Sequence, residues 1–280
     1  MTNKPEIKSE MSDAATLTEA YQLRFSGIAR LYGFDALLAL SQAHFVVVGL
    51  GGVGSWTAEA LARSGVGQIS LIDMDEICVT NINRQLPALT STVAQLKTEA
   101  LARRLKDINP EIQLNIIDAF LSKENIRDLI VPEQDMVIDC IDAANIKSGL
   151  IAYCSARKIA MVTVGSAGGK SDPRMVTSND LNRTTSDPML AKVRQHLFRF
   201  YNFSRDKGRK FRIEAIYSSE QAVFPKPDGS VCQQKSALTE GVKLDCTSGF
   251  GSATMLTGTM GFVAAERSIQ RFLQRKQDKV

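Results

Sequence analysis

No two cysteines in this chain form a Cys-x-x-Cys pair. The five present, Cys78, Cys140, Cys154, Cys232 and Cys246, are odd in number and widely spaced. That argues against a disulfide framework and against a four-thiolate zinc site, so no zinc is expected. The N-terminus lacks a secretory pattern, which makes the cytoplasm the expected compartment. Internal repeats and low-complexity segments are lacking too. A strong charge excess is also missing: 34 Lys and Arg against 30 Asp and Glu leave a net charge of +4. A balance this mild permits a polyanionic partner without requiring one. Long uncharged runs are scarce; one of them, Cys246 to Ala265, contains Gly249, Gly251, Gly258 and Gly261. A hydropathy window could pass it as a membrane span. Its small residues suit close helix packing, so a buried helix is expected and no stable membrane insertion.

What the chain does have is an ordinary globular balance, with 44% hydrophobic and 23% charged residues among 280. Residues 1–20 are expected to be a mobile tail. Residues 21–280 read as a single domain carrying a basic insertion at about 170–225. Apolar residues at helical spacing fill Tyr21 to Leu40. Buried-strand runs follow at His44–Leu50, Gln68–Asp73, Ile112–Ile117, Met136–Cys140 and Ala160–Val164. Helical stretches alternate with them at about Gly52–Ser64, Thr92–Ile108, Lys123–Leu129 and Asn145–Arg157. Strands alternating with helices imply an α/β fold, a doubly wound and mostly parallel sheet of Rossmann type. Phe211–Tyr217 reads as a further strand and about Gly251–Arg275 as a closing helix, an appendage on the same fold.

Gly49, Gly51, Gly52 and Gly54 sit between the first strand and the first helix of that pattern. Glycines there let backbone approach a phosphate, and the helix start adds free N–H groups. Asp73 ends the next strand, where a carboxylate can accept from ribose hydroxyls. NAD and ATP sites share these features. The following segment separates them: Asp75, then Asn81-Ile-Asn-Arg84-Gln85, then Lys97. A triphosphate concentrates more charge than a dinucleotide and needs cations, which Arg84 and Lys97 can supply. Asp142 follows the fourth strand, near the phosphates, where one carboxylate can hold Mg²⁺. Asp139, inside that strand, reads as a backbone partner.

Taken together, these residues resemble the adenylation site of the ubiquitin-activating-enzyme superfamily, which includes the activators of sulfur-carrier proteins. The resemblance implies ATP and Mg²⁺ as cofactors. It gives Asp73 to the ribose, Asn81 and Arg84 to the triphosphate, Lys97 to the transferring phosphate and Asp142 to the metal. It also implies a homodimer. The departures are informative. A paired N-terminal arginine is missing, with Arg24 and Arg30 as substitutes, and the two zinc pairs are absent.

In their place stand Gly168–Pro173, Asp245–Phe250 and a stretch from Lys192 to Arg212 with eight basic residues and one acid. The basic residues are Lys192, Arg194, Arg199, Arg205, Lys207, Arg209, Lys210 and Arg212, with Phe198, Phe200, Tyr201 and Phe203 interleaved. Cations for phosphates with aromatics for splayed bases is an RNA-binding mixture. A solvated helix face with its aromatics buried has the same composition. These features are similar to the branch of the superfamily that dehydrates threonylcarbamoyladenosine in tRNA, next to the anticodon. That resemblance implies adenylation of the threonyl carboxylate, then ring closure by the substrate's own nucleophile, with tRNA as partner. It leaves open a cysteine desulfurase partner and a monovalent cation in the glycine-rich C-terminal part. The rival readings are an activator of a ubiquitin-like sulfur carrier, an NAD-dependent oxidoreductase and a non-catalytic scaffold.

Overall fold

The computed structural model describes residues 16–226, 228–233 and 250–278. Helices α1 (Glu19–Tyr32) and α2 (Phe34–Ser41) lead into β1 (His44–Val48), α3 (Gly54–Arg63), β2 (Gln68–Ile72), α4 (Lys97–Ile108) and β3 (Gln113–Ile117). Next come α5 (Ile126–Leu129), β4 (Met136–Asp139), α6 (Ala144–Arg157) and β5 (Met161–Val164). The chain continues through β6 (Val176–Asp180), α7 (Pro188–Phe200), β7 (Glu214–Ser218), β8 (Phe224–Pro225), β9 (Val231–Cys232) and α8 (Thr254–Gln277).

Seven strands form one sheet in the order β3-β2-β1-β4-β5-β7-β6. All neighbours are parallel except β6 and β7. Strand β1 explains the centre. Its β-branched run buries Phe45, Val46 and Val47 completely, each worth about 1.5–3 kcal/mol relative to exposure. One core lies under α3, α4 and α8, through Leu61, Leu101 and Met260. The other lies under α5, α6 and α7, through Ile126, Leu150 and Leu190. The chain runs from β1 outward to β3, then returns to β4 on the other side of β1. That reversal opens a crevice at the carboxyl ends of β1 and β4.

Three expectations shift. Helix α1 begins at Glu19, capped by the Thr18 hydroxyl accepting from Tyr21 N, so the last residues of the expected tail are helical. Residues 1–15 lie outside the described residues. Strand β6 was not foreseen: Val-Thr-Ser-Asn-Asp is short and half-polar, and it pairs on one side only. Helix α8 starts at Thr254, and of the uncharged run 246–249 lies outside the described residues. No helix among the described residues is long and apolar enough to cross a membrane. Close packing is what the small residues of α8 do. A Cβ at Gly261 would stand 2.7 Å from the carbonyl oxygen of Val53, beside α3.

Candidate active site

The turn after β1 depends on two of the four glycines. Gly49 has φ +86, and a Cβ on it would meet the Cys140 carbonyl at 3.0 Å. A Cβ on Gly54 would lie 1.8 Å from the Gly49 oxygen, an impossible contact for any larger residue. Gly51 is different: an added Cβ meets only Gln85 Nε2, 3.9 Å away. So Gly49 and Gly54 shape the loop, while Gly51 leaves its outer surface bare backbone.

Asp73 fastens this loop to β2. Its carboxylate accepts from Leu50 N at 2.6 Å and from Asp75 N at 2.8 Å. Lys97, at the start of α4, is only 5% exposed. Its Nζ donates to Asp75 Oδ2 at 2.6 Å and lies 3.9 Å from Asp73 Oδ1. A buried ammonium needs such partners. The result is a cation held by two carboxylates beside a glycine loop. Helix α4 starts five residues later than the expected Thr92, and that later start puts Lys97 in its first turn.

The Asn81–Gln85 segment folds as a turn against α3 and α8. Asn81 Oδ1 accepts from Cys78 N at 3.0 Å, closing it. The Arg84 carbonyl accepts from Trp56 Nε1 at 3.2 Å and from the Thr257 hydroxyl at 3.1 Å. Ser55 Oγ accepts from Leu86 N and donates to the Gly51 carbonyl. The Arg84 guanidinium, half-buried, donates to the Thr80 carbonyl at 2.7 Å and to Asn83 Oδ1 at 3.0 Å. Gln85 is buried, and its Oε1 has no hydrogen-bond partner among the described residues. Trp56, Ser55 and Thr257 escaped the sequence reading because nothing local to them marks the turn they hold.

Asp139 and Asp142 part company. Asp139 is fully buried and pairs with Lys147 Nζ at 2.9 Å. It also accepts from the Thr163 hydroxyl at 2.7 Å and from Ile141 N at 3.1 Å. Asp142 is exposed in the turn between β4 and α6. The Lys147 ion pair was invisible in sequence, since its partner lies eight residues away without any motif. Arg24, on α1, donates to the Ile108 carbonyl at 3.1 Å. Two thiols hold their protons at neutral pH: burial pushes Cys140 and Cys154 each up to about 12. Cys246 lies outside the described residues.

The basic stretch is α7 with the loop that follows. Lys192, Arg199, Arg205, Lys207, Arg209, Lys210 and Arg212 are exposed. Arg194 turns inward, donating to the Leu181 carbonyl at 3.3 Å and to the Thr184 hydroxyl. Burial lowers its pKa against the opposing pull of Asp187. Most of the aromatics are packing groups. Phe198 and Phe203 set their edges against Phe211 at 6.0 and 4.9 Å, and Tyr201 is partly buried beside them. Phe200 is 63% exposed, flanked by Arg199 and His196.

Residues 25–280 match the ThiF family. The chain is 50% identical over 256 residues to a tRNA threonylcarbamoyladenosine dehydratase from Haemophilus influenzae, covering 91% of this chain and 95% of that protein. Identity is 43% over 262 residues to the protein of the same name from Escherichia coli, with 94% and 98% covered. A crystal structure of the E. coli tRNA N6-threonylcarbamoyladenosine dehydratase in complex with ATP superposes with a TM-score of 0.83 at 39% identity. It covers 95% of this chain and 100% of that one.

Proposed function

The chain belongs to the ThiF family, and from that premise we propose that it is an ATP-dependent enzyme that dehydrates and cyclises threonylcarbamoyladenosine in tRNA. The observation that carries the reading is Lys97. It is a nearly buried ammonium tied to Asp75 and Asp73, and Asp73 in turn holds the glycine loop through Leu50 N. A dinucleotide's two phosphates are largely served by the loop and the helix start. A transferring phosphate calls for a cation as well.

The threonyl carboxylate of the substrate attacks the α-phosphate of ATP. An acyl-adenylate forms and pyrophosphate leaves. A nucleophile within the same modification then attacks the activated carbonyl, AMP leaves with one carboxylate oxygen, and the ring closes. The substrate has lost the elements of water. In this scheme Asp73 accepts from the ribose, the glycine loop and start of α3 hold phosphate, and Asn81 and Gln85 line the nucleotide. Arg84 swings its guanidinium from Thr80 onto the triphosphate, and Lys97 meets charge that builds on the α-phosphate. Positioning and charge neutralisation do most of what the step requires.

Asp142 fits magnesium. It is one exposed carboxylate at the loop's edge, and Mg²⁺ is typically bound by one or two carboxylates plus substrate phosphates. Among the described residues no group of three or more His, Cys, Asp or Glu offers an all-protein cage. When bound, the ion would neutralise phosphate charge. The exposed cations of α7 and its loop hold tRNA phosphates. A homodimer and a cytoplasmic location complete the proposal on the family resemblance alone.

The test is direct. Purified protein, ATP and modified tRNA should yield AMP and a water-loss product by mass spectrometry. Absence of both, with the protein folded, contradicts the reading.

A further inference from the structure

We propose that a cavity at the carboxyl ends of β5 and β7 is the subsite for the modified purine base of the substrate. The proposal rests on the dehydratase reading above and gives that reaction an acceptor site.

The cavity is an open depression of about 440 Å³, inside the range of about 300–1,000 Å³ that ligand pockets occupy. Pro188, Ala191 and Phe224 give it apolar faces, and Ser186, Gln221 and Gln233 bring hydroxyl and amide groups. A flat aromatic with amides around it suits a base taken out of its stack and read along its edge. Among the described residues no lysine or arginine lines it, while Asp187 does, so its described lining does not favour a phosphate.

Its wall is locked from three sides. Asp187 caps α7 by accepting from Leu190 N at 2.9 Å, and accepts from Ser166 N at 2.9 Å, just past β5. Lys170 Nζ sits 3.8 Å from Asp187 and donates to the Ser218 carbonyl, at the end of β7, at 2.8 Å. Both side chains are buried. A Cβ at Gly165 would fall 2.2 Å from Asp187 Oδ2, so that glycine is the condition for this closure. The wall around Asp187 is thereby preorganised.

Position points the same way. In the proposed scheme Asp73, at the end of β2, accepts from the ribose, and the glycine loop follows β1. Along the same edge the order continues through β4, β5 and β7. Strands lie about 4.8 Å apart, so β5 and β7 stand about 10–14 Å from β1. A carbamoylthreonyl arm, comparable to two residues of extended chain, reaches about 7 Å. With the base in the cavity, the arm covers about half to two thirds of that gap, so the proposal requires the α-phosphate to lie on the β4 side of the glycine loop. The cavity also opens at the start of α7. The exposed Lys192 and Arg199 lie further along that helix, where they meet the phosphates flanking a splayed nucleotide.

The experiment compares wild type with Ala191→Phe, which fills the cavity from a half-exposed helix position, and with Gln221→Ala, a change at an exposed residue. Initial rates of AMP release give KM for modified tRNA and for ATP separately. Binding of the unmodified tRNA and melting temperature are measured alongside. Ala191→Phe should raise KM for modified tRNA roughly tenfold or more. Gln221→Ala should raise it about three- to tenfold. KM for ATP and binding of unmodified tRNA should stay at wild-type values in both. A folded Ala191→Phe protein with wild-type KM for modified tRNA overturns the subsite. So does an equal loss for modified and unmodified tRNA, because the cavity would then hold the backbone. If Ala191→Phe melts early, Gln221→Ala decides by the same criteria. A wild-type protein that releases no AMP refutes the dehydratase reading itself, a result distinct from either.

Discussion

Lys97 and Lys147 are both buried lysines paired with aspartates, yet they do different things. Lys97 opens onto the glycine loop through the half-exposed Asp75. Lys147 is sealed on all sides with Asp139. Lys97→Met should therefore cut the adenylation rate roughly 100- to 1,000-fold, with a smaller change in KM for ATP, read by pyrophosphate exchange. Lys147→Met should act on stability instead. It leaves a buried carboxylate unpaired, a loss of about 3–5 kcal/mol that urea unfolding will measure. Equal effects of the two substitutions on exchange and on unfolding would contradict this division. The candidate residues that the sequence marks are those with a motif around them: the glycines, Asp73, Arg84, Lys97 and Asp142, of which the fold brings Asp73 and Lys97 together beside the glycine loop. Lys147, Trp56 and Lys170 were not legible, because each acts on a partner that only the folded sheet brings near.

At the scale of elements, α7 carries the RNA argument. The sequence offered its cations and aromatics as one mixture. The fold separates them: Phe198 and Phe203 pack inward on Phe211, Arg194 ties down its own neighbourhood, and Phe200 with most of the cations faces out. Contacts to phosphate weaken with salt, and each one lost flattens the dependence. Replacing Lys192, Arg199 or Arg205 by Ala should weaken tRNA binding and lower the slope of log K against log salt by about 0.7–0.9 per contact. Arg194→Ala should leave that slope unchanged and lower the melting temperature. Filter binding across a salt series checks both. The alternation of strands and helices was readable from β1 to β5 because each strand is a buried apolar run. It failed at β6, an edge strand whose polar residues carry no such signal.

Across the whole molecule, a buried glutamate, Glu59, and a largely buried one, Glu214, tie distant parts together. Glu59 on α3 pairs with Arg104 on α4 and with Arg63. Glu214 on β7 pairs with Arg267 and Arg271 on α8. Burial opposes ionisation in both, but hydrogen bonds from the arginines outweigh it and hold both carboxyls below the usual glutamate range. Depressed in the fold, they add stability above the unfolded value of about 4.3. That stability is lost as pH falls through the lower folded values. Melting temperature should drop on acidification below about pH 4, and Arg267→Ala should make that drop shallower.

The same sheet that these pairs brace carries the glycine loop after β1 and the cavity at β5 and β7 along one edge, and the proposed reaction has one decisive readout. ATP is incubated with the protein and either modified tRNA or a ubiquitin-like carrier protein, and AMP is counted. The account predicts AMP release with modified tRNA alone, matched by loss of water from the tRNA. AMP or pyrophosphate exchange driven by the carrier protein, with none from tRNA, would contradict it.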